Sequence, residues 1–142
     1  MLSFRKYVTV QVRRDIYGFS NFDRAATFLK CAGGFLSERA RPGVGRASPS
    51  MVSYGDAFIF LIGGGSMDDF RKFEDGVEVY STEKDSWALG PPLKQSRQNH
   101  SSCSVKHMIY TFCGCNFLDG DLASIERLNA RDFLLGTHLG GV

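Results

Sequence analysis

The chain has 142 residues, of which 43% are hydrophobic, 23% charged and 13% aromatic. That is about one domain's worth of ordinary soluble protein, and it excludes wholesale disorder, collagen and a disulfide-dense miniprotein. The net charge is +2, but residues 1–50 carry +6 and residues 51–142 carry −4.

A basic half can mark a nucleic-acid arm. Here no Lys/Arg cluster is interleaved with stacking aromatics in the way single-strand binders use them. An Arg-containing linker followed by acidic loops is the simpler reading, and no nucleic-acid partner is expected. Residues 1–14 have no continuous apolar segment of the kind a secretory signal needs. Arg5, Lys6, Arg13 and Arg14 faintly suggest a mitochondrial presequence. Against that, Val8, Val10 and Val12 alternate with polar residues, a strand period rather than an amphipathic helix. No apolar run approaches the ~18 residues of a membrane span. Cys31, Cys103, Cys113 and Cys115 show no framework spacing, so reduced thiols and a cytoplasmic setting are expected.

In chain order, residues 7–13 read as a strand and Ile16–Phe19 as a second. Phe22–Lys30 reads as a short helix or a poorly alternating strand. Ser37–Pro49 holds two Pro, two Gly and three Arg and reads as a loop or linker. The texture changes at Met51. Ala57–Ile62 is a short apolar run ended by Gly63-Gly64-Gly65, as in a strand buried on both faces. Val77–Tyr80, Ser86–Leu89, Ser101–Val105, Met108–Phe112 and Ser124–Leu128 follow as strands, and no segment has a helical period. All-β is therefore the expected class.

The internal repeat is the strongest signal. Ala57 to Gly64 aligns with His107 to Gly114 at a shift of 50, and Gly76–Tyr80 aligns with Ser124–Leu128 at a shift of 48. A period near ~50 residues, with an apolar strand, a Gly doublet, a loop and a second strand, is that of kelch blades. Phe58–Ile62 runs into Gly63-Gly64, Val77–Tyr80 ends in a Tyr, Trp87 follows seven residues later, and Pro91-Pro92-Leu93 and Arg97 to Ser101 come next. On these residues the chain resembles the kelch-repeat family of β-propellers over residues 48–129.

The resemblance implies four-stranded antiparallel blades forming a partial, open or truncated propeller. Residues 46–95 would be one blade and 96–142 a second, truncated or degenerate one. Residues 1–45 would hold degenerate or partial blade strands, the outer strands of a preceding blade, and the Arg/Gly/Pro linker, with Asp15-Ile16-Tyr17 as a faint counterpart of Glu78-Val79-Tyr80. In the second blade Cys113 replaces a glycine, Leu128 replaces the Tyr, and Phe133 or Leu135 stands near the missing Trp. A propeller closes with 4–8 blades, so fewer than three would leave open edges. A fragment of a longer propeller, a homo-oligomer, or completion by another chain is then expected.

The motif residues Gly63, Gly64, Tyr80, Trp87, Arg97 and Gly114 read as structural. The resemblance implies a non-catalytic module that binds a protein partner through inter-strand loops, with Asp68, Asp69, Arg71, Lys72, Arg97 and Asn116 as candidate contacts. No BTB or F-box segment is present, so no ligase role follows. No cofactor is expected. Gly63 to Asp69 lacks a phosphate-loop pattern and would repel phosphate, and the acids at 68–75 lack EF-hand spacing. The copper ligands of the family's propeller oxidases have no matching positions. The alternative is a metal-binding protein or enzyme using Cys103, Cys113 and Cys115 with His100 or His107, although structural zinc usually takes CxxC-type spacing. A third possibility is a truncated product without independent function.

Overall fold

The computed structural model describes residues 7–69, 71 and 74–136. The first sheet is a meander of β1 (Tyr7–Val12), β2 (Asp15–Ser20), β3 (Phe28–Ala32) and β4 (Phe35–Glu38), paired in chain order. A connection containing β5 (Arg46–Ala47) leads to the central sheet, built from β6 (Ser50–Tyr54), β7 (Phe58–Ile62), β9 (Val77–Ser81) and β10 (Ser86–Leu89). Short β8 (Gly65–Ser66) leaves the end of β7 and pairs with β5. The third sheet holds β11 (Ser101–Val105), β12 (Met108–Phe112) and β15 (Ile125–Asn129), with a small hairpin of β13 (Cys115–Asn116) and β14 (Gly120–Asp121) between the last two. Helix α1 (Ala130–Leu135) follows.

The sheets stack face to face, with first strand β6 lying between first strands β1 and β11. The alternation along β7 shows how. Ile59 and Leu61 join Tyr17, Phe19, Phe28 and Tyr80 in a core against the first sheet. Phe60 and Ile62 join Val77, Val79 and Ile109 in a second core against the third sheet. Successive side chains of a strand point to opposite faces. A strand wanted by both neighbours must therefore be apolar at every position, which accounts for the unbroken run at 57–62.

The pairing register aligns all three sheets. Ser20 N–H donates to Thr27 O, Gly63 N–H to Gly76 O and Cys113 N–H to Ser124 O, each closing the end of a second strand. Ile16, Ile59 and Ile109 then occupy one position on β2, β7 and β12. Tyr17, Phe60 and Tyr110 occupy the next.

Several expectations need correction. Asp15-Ile16-Tyr17 lies on a second strand, so it matches Phe58-Ile59-Phe60 and not Glu78-Val79-Tyr80. Phe22–Lys30 is neither helix nor single strand; Phe22 and Ala26 take positive φ in a turn, and strand structure begins at Phe28. Residues 7–38 form a complete four-stranded meander rather than a partial one. The linker at 37–49 contains the end of β4 and all of β5.

The described chain is all-β, as expected, but for one short helix that no periodicity announced. Asn129 caps α1 by accepting from Asp132 N–H, and Ala130 and Leu134 are buried. Six residues are too few to display a period. In chain order the helix follows β15 as β10 follows β9 in the central sheet. Its Phe133 ring meets Phe60 edge-on at 6.2 Å, whereas Leu135 is 53% exposed.

Candidate functional site

Two buried arginine clamps build one end of the stack. Arg46 Nη1 donates to Gly63 O (2.9 Å) and Gly76 O (2.7 Å), and its Nη2 donates to Glu78 Oε2 (2.7 Å). Glu78 also accepts from Gly43 N–H at 2.6 Å. Fifty-one residues on, Arg97 Nη1 donates to Cys113 O (2.8 Å) and Ser124 O (3.1 Å), and its Nη2 to Glu126 Oε2 (2.8 Å). Glu126 accepts Lys94 N–H at 2.6 Å and Gln95 N–H at 3.2 Å. Each clamp ties the connection entering a sheet to the ends of that sheet's second and third strands. A guanidinium suits the task because its planar fork donates to several acceptors at once and stays charged when buried.

The sequence pointed to Arg97 but passed over Arg46. The signal was there: Arg46 to Ser50 stands against Arg97 to Ser101 at a constant shift, and Ser48 and Asn99 share positive φ values of 51° and 53°.

The glycine doublet serves the same end. Gly63 and Gly64 have φ of 64° and 108°, and a Cβ on Gly63 would stand 2.7 Å from Arg97 O. Gly114 has φ of 81°, and a Cβ there would meet Gln98 O at 2.5 Å. Both are thus required by conformation and by close approach. Cys113 holds the Gly63 position with φ of 55°. The atoms crowding Gly63 come from the entry to the following sheet, and Cys113, on the last described sheet, is exposed.

Tyr80 and Trp87 latch the connection on the other side. Tyr80 Oη donates to Asp85 Oδ1 at 2.6 Å, Asp85 accepts Ala40 N–H at 3.0 Å, and Trp87 Nε1 donates to Ala40 O at 2.7 Å. Burial, reinforced by the Asp85 carboxylate, raises the Tyr80 pKa well above its usual value. The Tyr80 and Ala40 donors lower that of Asp85. Phe28 meets the Trp87 ring edge-on at 5.0 Å.

The candidate partner contacts divide into two groups. Arg97 is wholly buried, and Asn116 is 7% exposed with its amide given to Ser96 O and Asp119, so neither belongs to the loop surface. Asp68 is exposed. Asp69 accepts Arg71 N–H at 3.0 Å, and Arg71 is exposed. Lys72 lies outside the described residues. Arg24, not anticipated from sequence, donates to Met67 O at 3.1 Å and joins the first sheet's loop to this one. Arg24, Gly43, Val44, Ser66, Asp68 and Glu74 surround a cleft of about 200 Å³. A second cavity, between the central and third sheets beside Pro91-Pro92-Leu93, measures about 220 Å³. Both fall below the ~300–1,000 Å³ of small-molecule sites.

The Cys/His residues are dispersed. His100 Nε2 lies 2.9 Å from Ser50 Oγ, and His107 Nδ1 lies 2.8 Å from Tyr54 Oη. Burial, with the nearby Arg97 charge adding to it, brings the His100 pKa down to about 4. Cys103 sits opposite Tyr110, while Cys115 pairs with Asp121 at a strand end. Among the described residues no three His, Cys, Asp or Glu side chains converge as metal ligands. Among the same residues no helix is long and apolar enough to cross a membrane. Comparison of the chain with known protein families and with curated proteins returns no match.

Proposed function

We propose that this chain is a kelch-type, non-catalytic interaction module that binds a protein partner through the loops at the clamped end of its sheets. The observation that carries this reading is the bracing of the loop after Gly64 on three sides. β5 pairs with β8, Arg24 holds Met67 O, and the Arg46–Glu78 clamp fixes the strand ends below it. Recognition residues concentrate on loops held by a rigid scaffold. Asp68 and Arg71 stand outward there with both signs of charge, as suits a polar protein surface rather than a polyanion. The four free cysteines fit a reducing, cytoplasmic setting.

The test is a loop exchange. Replacing residues 66–75 by Gly/Ser is expected to abolish cross-linking of the partner while the melting transition is retained. A partner still cross-linked to the same extent would overturn the reading.

A further inference from the structure

We propose that two copies of this chain join head to tail, the third sheet of each covering the first sheet of the other, so that six sheets close into one ring. The inference rests on how the sheets stack and is independent of the loop-face reading.

Each internal interface packs the trailing face of one sheet on the leading face of the next. Among the described residues the first sheet's leading face and the third sheet's trailing face have no such neighbour. On the leading face Ile16 is 49% exposed, whereas its counterparts Ile59 and Ile109 are 0% and 2% exposed. Leu36 pairs with Cys31 as Trp87 pairs with Tyr80, and it is 72% exposed. On the trailing face Ile125 is 56% exposed, whereas its counterparts Phe28 and Val77 are 0% and 3% exposed. Val105 is 55% exposed, and its counterpart on β1, Val12, is 5% exposed. The same positions that make both internal cores are thus apolar and uncovered at the two ends. What the trailing face lacks is a leading face, and the chain itself carries one.

The details fit. Among the described strands the leading face bears one charged side chain, Glu38, and the trailing face one, Arg127, of opposite sign. A hollow of about 390 Å³ lined by Lys94, Tyr110, Ile125, Glu126 and Arg127 opens at the edge of the trailing face. Inside the chain, Trp87 packs on Phe28. The corresponding contact between copies sets Leu36 on the partner's Ile125.

Area favours closure over an open row. The four-stranded leading face, with strands ~4.8 Å apart and ~5 residues long at ~3.3 Å each, covers about 300 Å², and the three-stranded trailing face about 240 Å². One contact hides about 550 Å², under half of the ~1,200 Å² at which specific interfaces begin. A closed pair makes the contact twice and comes close to that value, which a single contact does not. Six sheets also lie within the ~4–8 of closed propellers.

Light scattering on the purified chain is expected to give twice 15.7 kDa, with no larger species as concentration rises. A monomer, or a ladder of growing oligomers, would overturn the proposal. Leu36→Lys and Ile125→Lys are each expected to give a folded monomer, because one lesion breaks both contacts; a folded dimer from either would count against it. Should the variants not fold, thiol labelling of the unaltered chain decides. Cys103, on the trailing face, is expected to react at least tenfold more slowly than Cys113 at the strand end. Equal rates would sink the idea. The loop exchange at 66–75 leaves both faces intact and should not change the mass, so the two readings fail separately.

Discussion

Arg46 and Arg97 show how one residue type solves one problem twice. Each connection must cross the end of a sheet where strand-end carbonyls would otherwise be buried without donors, and such groups are costly to strand. A guanidinium supplies the donors, and a glutamate one strand further in neutralises it. The two clamps differ in depth: the Glu78 side chain is 7% exposed and that of Glu126 16%. Breaking a buried pair from one side costs ~3–5 kcal/mol because a charge is left unpaired. Arg46→Ala and Arg97→Ala are both expected to lose stability in that range in urea titrations, with Arg46→Ala the larger loss. Equality or reversal would mean that the carbonyl bonds, rather than the stranded carboxylate, set the cost. In the first sheet the clamp glutamate is replaced: Leu29 occupies the register position of Glu78 and Glu126.

At the scale of elements, legibility followed the strength of local signals. Ser86–Leu89, Ser101–Val105 and Met108–Phe112 match their strands residue for residue, because turns and glycines bound them on both sides. The first sheet was obscure for a physical reason. Ser20-Asn21 stands in place of a Gly doublet and Leu29 in place of the clamp glutamate, so the strands persist while the markers of the repeat are gone. Strand β6 was missed because Ser50, Val52 and Tyr54 face one sheet while Met51 and Ser53 face another, leaving no polar side to alternate against. Of the candidate site, Arg97 and the glycines were found in sequence. Their burial was not, since one-dimensional spacing does not distinguish a side chain aimed inward from one aimed out.

Helix α1 was the least legible element and does a strand's work of covering Phe60. Leu134 is 5% exposed in the second core. Leu134→Ala is expected to cost ~2–5 kcal/mol, measured by chemical denaturation. A loss under ~1 kcal/mol would show that the helix is peripheral to that core.

For the whole molecule, stability is shared between neighbouring sheets, as in stacked repeats. His100 sits at one such junction, bonded to Ser50 at the start of β6 while it leads into β11. Its pKa falls from 6.5 to about 4 in the folded chain. Above pH 6.5 the ring is neutral whether folded or not. As pH drops below that value the unfolded chain takes up the proton and the folded chain does not, so stability declines until pH reaches about 4. The full loss amounts to about 3 kcal/mol. Between pH 6.5 and 5, before carboxylates intervene, the melting temperature should fall in the native chain and stay level in His100→Gln. A parallel fall in both would assign the acid sensitivity elsewhere.

Strand β7 gains its place by being apolar on both faces, and that has a consequence for biosynthesis. Residues 57–62 contain no charge and no proline, which is the character of segments that form steric zippers when left uncovered. During synthesis the first sheet precedes this strand and can shield Ile59 and Leu61 at once. Phe60 and Ile62 must wait until Ile109 and Leu134 have been made, some fifty to seventy residues later. At ~5–20 residues per second that interval lasts several seconds. In it the nascent chain presents an aggregation-prone face, and holdase chaperones would have the most to act upon.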